Sequence, residues 1–251
     1  MGCISSNMLK RSLSASGFTL FPVGIIAGIL FAVVRAIGTI GPPAYRFILP
    51  GGFVVMALMP FIFLNKQGWR KVGFVKNNAA KYYVFAIVSG AILGLLCYGF
   101  GLWLFDLSND NWFVSIKNSY LRTFDTTGIP SRQLFVVFTI PALIFSPIGE
   151  EIFFRGFLQE ALATKFSDRN AMVIDSLFFA LIHLFHHGII KDRVGTIHIY
   201  PLSGFIWVML MFATALSFAL LKKKSGSIYP AIVSHAVFNL VMNITIFYGM
   251  G

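Results

Sequence analysis

Two adjacent carboxylates, Glu150 and Glu151, stand in an otherwise apolar run, with Arg155 four residues beyond the second. An ionisable side chain at the centre of a membrane helix costs at least ~2.5 kcal/mol on insertion scales, so such groups face the protein interior and mark function. Neighbours on a helix point about 100° apart, whereas residues four apart share a face. Glu151 is therefore expected to pair with Arg155 as a structural carboxylate, leaving Glu150 less compensated and better placed to act as a general base. The competing reading is an ordinary buried ion pair, which explains Glu151 and Arg155 but not the second acid.

Two further polar sets follow. Phe179 and His183 are four apart, as are His235 and Asn239. An imidazole can hold or move a proton, and a His with an Asn can donate hydrogen bonds to charge developing on an oxyanion. The same pair can also act as plain interhelical glue. Asp175, His186 and His187 lie close to His183 in sequence, and their contribution stays open. His183 with His187 supplies only two metal ligands and no His-Glu-x-x-His pattern occurs, so neither a metal nor any other cofactor is expected.

The elements that carry these residues are membrane helices. Of 251 residues 57% are hydrophobic and 12% charged, and the mean hydropathy is +0.79, outside the range of a soluble domain. Apolar runs at 18–40, 44–64, 82–105, 202–221 and 228–248 are long enough to span, and less clean ones start at 133 and cover 171–187. The expectation is an all-α polytopic protein of about seven transmembrane helices, with room for an eighth, around a water-accessible intramembrane cavity. Residues 1–251 form one membrane domain, with a short tail at 1–17 and the catalytic motifs within 133–248.

The net charge of +11 does not signal nucleic acid, because the basic residues fall between the apolar runs as topology signals. Lys10, Arg11, Lys66, Arg70, Lys71, Lys76, Lys81, Lys165, Arg169 and Lys222–Lys224 fall on one side. That side is expected to be cytosolic, with the N-terminus. The opposite loops hold Arg46, Lys117, Arg122, Arg132, Lys191 and Arg193, diluted by Asp106, Asp110, Asp125 and Asp192. The first span is too long for a signal-peptide core and is expected to stay in the mature chain. Gly2-Cys3 fits an acylation pattern of little use to a protein with this many spans. Short connections favour a bacterial inner membrane. Two cysteines support neither a disulfide framework nor a Cys-based zinc site.

Depth allows one site. Measured from Lys165, Asn170 and Ser225, the residues Glu150, His183, His235 and Asn239 lie ten to fifteen positions in, roughly 15 to 22 Å at ~1.5 Å per residue. Together the three motifs resemble the CAAX prenyl protease and bacteriocin-processing family of intramembrane glutamic endopeptidases. That family carries Glu-Glu-x-x-x-Arg, Phe-x-x-x-His and His-x-x-x-Asn or Asp on successive late spans. The resemblance implies that Glu150 and His183 activate a water without metal, that His235 and Asn239 bind the oxyanion, and that the cavity opens toward the cytosol. The substrate expected is a membrane-associated peptide or protein. Sequence sets no oligomeric state. Two other functions use the same residues: a non-catalytic membrane scaffold, immunity or regulatory protein, and a small proton-coupled carrier, the latter disfavoured by the absence of paired repeats.

Overall fold

The computed structural model describes residues 8–10, 19–123, 126–192 and 194–250. Gly2-Cys3, Arg11, Asp125 and Arg193 fall outside them. The described chain is helical apart from one short hairpin. Helix α1 spans Leu20–Ile40. A 3₁₀ turn at Pro43–Phe47 leads into α2, Ile48–Phe63. A short α3, Lys66–Val72, precedes α4 at Ala80–Phe105 and α5 at Trp112–Leu121. Helix α6, Ser131–Glu151, runs on as a π-helical stretch, Ile152–Leu158, and then as α7, Gln159–Ala163. Helix α8 is Asp168–Ile182, followed by a 3₁₀ turn at His183–Phe185. Strands β1, Ile189–Lys191, and β2, Ile197–Ile199, pair antiparallel with Ile190 opposite His198. Helices α9, Pro201–Ser225, and α10, Tyr229–Ile244, complete the bundle, α10 ending in a π turn at Thr245–Gly249.

Six helical segments among the described residues are long and apolar enough to cross a membrane, and five of them fall on the five clear apolar runs. The sixth is the continuous Ser131–Ala163 segment, the run that starts at 133. The seventh expected span is the shorter α8, whose α-helical turns stop at Ile182. Side chains that a soluble protein would hide face outward instead, among them Trp103 at 77% and Phe85 at 61% exposure, as a lipid-facing surface requires.

Two apolar clusters organise the interior. One gathers Phe31, Phe153, Phe154, Phe157 and Phe179, the other Trp112, Trp207, Phe218, Phe238 and Met242. The polar motifs lie where they meet. Small residues set the helix spacing there. A side chain at Gly90 of α4 would run into the Ser234 carbonyl of α10, and one at Gly94 would stand 2.9 Å from Val241. One turn of small-xxx-small spacing thus draws α4 against the helix that carries His235. Gly149, beside Glu150, meets the Phe53 backbone of α2 in the same way. Elsewhere on α4, a side chain at the exposed Gly99 would meet nothing within 4 Å.

Gly90→Val should therefore destabilise the protein by about 1–3 kcal/mol through overpacking, read as a lower midpoint of thermal unfolding in detergent. Gly99→Val, the same change on the same helix, should leave that midpoint nearly unmoved.

Candidate active site

Glu150 and Glu151 end the α-helical part of α6 and are 1% and 0% exposed. Arg155 follows in the π-helical stretch, a local widening often found at functional sites. Its Nε lies 3.3 Å from Glu151 Oε2, the pair expected from the spacing, and its Nη1 lies 3.4 Å from Asp175 Oδ2 on α8. The guanidinium covers the Phe179 ring at 4.3 Å from the centroid, a contact worth more out of water than in it. Lys222, expected as a topology signal, is instead buried: its Nζ donates to the Arg155 carbonyl and to Glu160 Oε1 at 2.9 Å.

Glu150 is compensated too, contrary to expectation. Arg35 of α1 places Nη1 3.0 Å from Glu150 Oε1 and donates through Nη2 to Nε2 of His186. Neither contact was read from the sequence. The signal was present, since Arg35 is the lone charged residue of the 18–40 run and an intramembrane charge calls for a partner. The second oxygen, Glu150 Oε2, is buried with no hydrogen-bond partner and lies 3.8 Å from His235 Nε2.

Each motif histidine has its Nδ1 tied down. His183 Nδ1 donates to the Phe179 carbonyl at 2.7 Å, where α8 gives way to the 3₁₀ turn. His235 Nδ1 donates to Glu151 Oε1 at 2.9 Å. A bond of this kind fixes the tautomer and leaves Nε2 for chemistry. The rings gather around Phe179, whose centroid is 4.4 Å from that of His183 and 5.9 Å from that of His235, and Phe218 stacks on His235 at 5.0 Å. The Asn239 amide donates to the Ala142 carbonyl at 2.9 Å, in the part of α6 between Pro141 and Pro147.

A cavity of about 240 Å³ adjoins this cluster, well above the ~15 Å³ that one water needs. Arg35, His183, His186, His235 and Asn239 line it with Phe53, Phe145, Trp207 and Phe238. Glu150 and Glu151 sit behind that lining, reached through Arg35 and His235. Leu49 and Pro50 at the start of α2, and Ile116 and Tyr120 of α5, also line it.

The remaining candidates separate. Asp175 joins Glu151 on Arg155, and His186 joins Glu150 on Arg35. His187 turns away from the cluster to bond Ser115 Oγ at 2.8 Å and Ser203 Oγ at 2.9 Å, so it does not pair with His183 as a metal ligand. No three His, Cys, Asp or Glu side chains converge as a metal site among the described residues.

Residues 132–241 match the family model described as Type II CAAX prenyl endopeptidase Rce1-like. This is the family the three motifs resemble, and the match takes in all seven motif residues. It supports a membrane-embedded peptidase of the CAAX protease type. No curated protein and no solved structure matches the chain.

Removing one partner of a buried ion pair leaves the other charge unpaid by any neighbour, at about 3–5 kcal/mol. Arg35→Met should lose stability on that scale, measured by chemical unfolding in detergent. The same change made in a Glu150→Gln background should cost far less, since no buried carboxylate then depends on it.

Proposed function

We propose that this membrane protein, similar across its motif region to type II CAAX prenyl endopeptidases, hydrolyses a peptide bond within the bilayer by means of a water activated by Glu150. The observation that carries the reading is the unbonded Oε2 of Glu150, buried beside a cavity that His183, His235 and Asn239 line. A buried acceptor without a partner costs about 1–3 kcal/mol, and a catalytic role is one of the reasons a structure retains such a group.

In the mechanism, a water sits between the Glu150 carboxylate and Nε2 of His183. Glu150 takes its proton as the oxygen attacks the scissile carbonyl, and later delivers that proton to the leaving amine. His235, held between the two glutamates, presents its Nε2 to the oxyanion. The Asn239 amide is the second donor and must exchange the Ala142 carbonyl for substrate. Glu151 fixes the His235 ring, and Arg155 with Phe179 fixes Glu151. Arg35 must yield part of its hold on Glu150 for the carboxylate to reach the cavity. The aromatic walls suit an apolar stretch of a membrane-associated peptide or protein.

Glu150→Gln should lower cleavage by at least ~10²-fold, the usual worth of a general base, in protein shown by its unfolding transition to remain folded although Arg35 has lost its counter-charge. Asn239→Ala should lower it by a similar factor through lost oxyanion stabilisation. Both are read by comparing new peptide termini in membranes expressing each variant, a measurement that also names the substrate. A Glu150→Gln protein that cleaves normally would end the assignment. One that cleaves nothing yet keeps full biological function would move it to a scaffold or immunity role.

A further inference from the structure

The positive-inside pattern leaves few cations on the side opposite the lysine-rich loops, yet three of them meet. Arg46 from the turn before α2, Arg122 at the end of α5 and Lys191 of β1 line one polar cavity of about 410 Å³ with Thr39, Gly41 and Asp192. They come from three separate elements, so chain proximity does not explain the gathering. Like charges around one cavity repel, and the arrangement is favourable only if an anion enters it or each charge is spent elsewhere.

Part of that charge, on Arg46 and on Arg122, is engaged by other groups. Arg46 Nη1 donates to the Ser119 carbonyl at 2.9 Å and to Thr123 Oγ1 at 3.0 Å, capping α5. Its Nε is buried with no hydrogen-bond partner. Asp192, the one acid in the lining among the described residues, is committed to its own hairpin: it accepts from His198 Nε2 at 2.8 Å and from the amides of Val194 at 3.0 Å and Thr196 at 2.8 Å. The His198 bond above all holds its carboxyl below the usual range, so Asp192 remains an anion already occupied by other donors. Lys191 balances no acid on its own strand.

We propose that this cavity binds a phosphate group, supplied by an anionic phospholipid headgroup or by free phosphate. Its depth suits a headgroup: Gly41 follows the last residue of α1, Leu121 is the last of α5, and the hairpin leads directly into α9. A guanidinium and an ammonium facing one cavity supply the charge-assisted donors that a phosphate takes, whichever face of the membrane carries them. Val194, 88% exposed, and Leu121 in the same lining give an acyl chain apolar surface at the cavity. The site is separate from the Glu150 cluster and does not rest on the peptidase reading.

Two arms distinguish the source. In the first, the protein is released from nanodiscs of equal phosphatidylglycerol and phosphatidylcholine, and retained lipid is counted by native mass spectrometry. In the second, inorganic phosphate is added to delipidated protein in neutral detergent and the unfolding midpoint is followed. Lys191→Gln should weaken whichever ligand binds about tenfold, the scale of one charge-assisted hydrogen bond. Lys191→Arg should keep it. Lys117→Gln removes the same charge from the same side outside the cavity lining and should change nothing. A Lys191-dependent effect in the first arm identifies a headgroup, and in the second free phosphate. Equal behaviour of wild type and Lys191→Gln in both arms, or an equal loss in Lys117→Gln, would overturn the site.

Discussion

A carboxylate taken out of water must be met by positive charge or by hydrogen-bond donors, and in an apolar bilayer protein that demand shapes the whole bundle. Glu150, Glu151 and Asp175 are each 1% exposed or less. Against these three acids stand Arg35, Arg155 and the His235 ring, every one delivered by a different stretch of helix. Helix α1 must lie against the π-helical continuation of α6 to bring Arg35 to Glu150. Helix α8 must lie against the same stretch to bring Asp175 to Arg155, and α10 against α6 itself to bring His235 between the glutamates. The glycines at 90 and 149 follow from this, because the helices reach those distances only where no side chain stands between their backbones.

The fold class and the site differ in how far the sequence discloses them. Unbroken apolar length gives five of the spans at once, since crossing hydrocarbon leaves no other use for such runs. The α8 span is blurred because its helix is short and ends in a 3₁₀ turn that sends His186 and His187 to different partners. At the site, helical spacing alone yields the Glu151–Arg155 pair and the shared face of Phe179 and His183. The isolation of Glu150 does not hold, because its partner lies 115 positions away on α1. Periodicity reports which residues share a helix face, and says nothing of which helix meets that face. Lys222 shows the same limit: its place in a basic run hides a buried bond to the π-helical backbone.

Aromatic rings give the polar cluster its force. Phe154, Phe179 and Phe218 surround Arg155, and Phe179 with Phe218 covers His235. With water excluded from these faces, each charge acts at short range through a weakly screening medium, so a hydrogen bond to Nδ1 suffices to hold an imidazole in one tautomer. The same exclusion makes an unmade hydrogen bond costly, and among the unbonded atoms of the cluster the second oxygen of Glu150 is the one 3.8 Å from His235 Nε2.

The departures from regular helix also fall in one place. Pro141 and Pro147 supply no N–H to the ladder of α6, Gly149 brings α2 close, and the π-helical turn starts directly after Glu151. Between the two prolines a main-chain carbonyl accepts the Asn239 amide, and the lengthened turn beyond them offers the Arg155 carbonyl to Lys222. The irregular segment spends part of its hydrogen bonding on neighbouring helices, and so binds α9 and α10 to α6 at the height of the glutamates. Local rules that fail together over so few residues mark a segment shaped for its contacts rather than for its own stability.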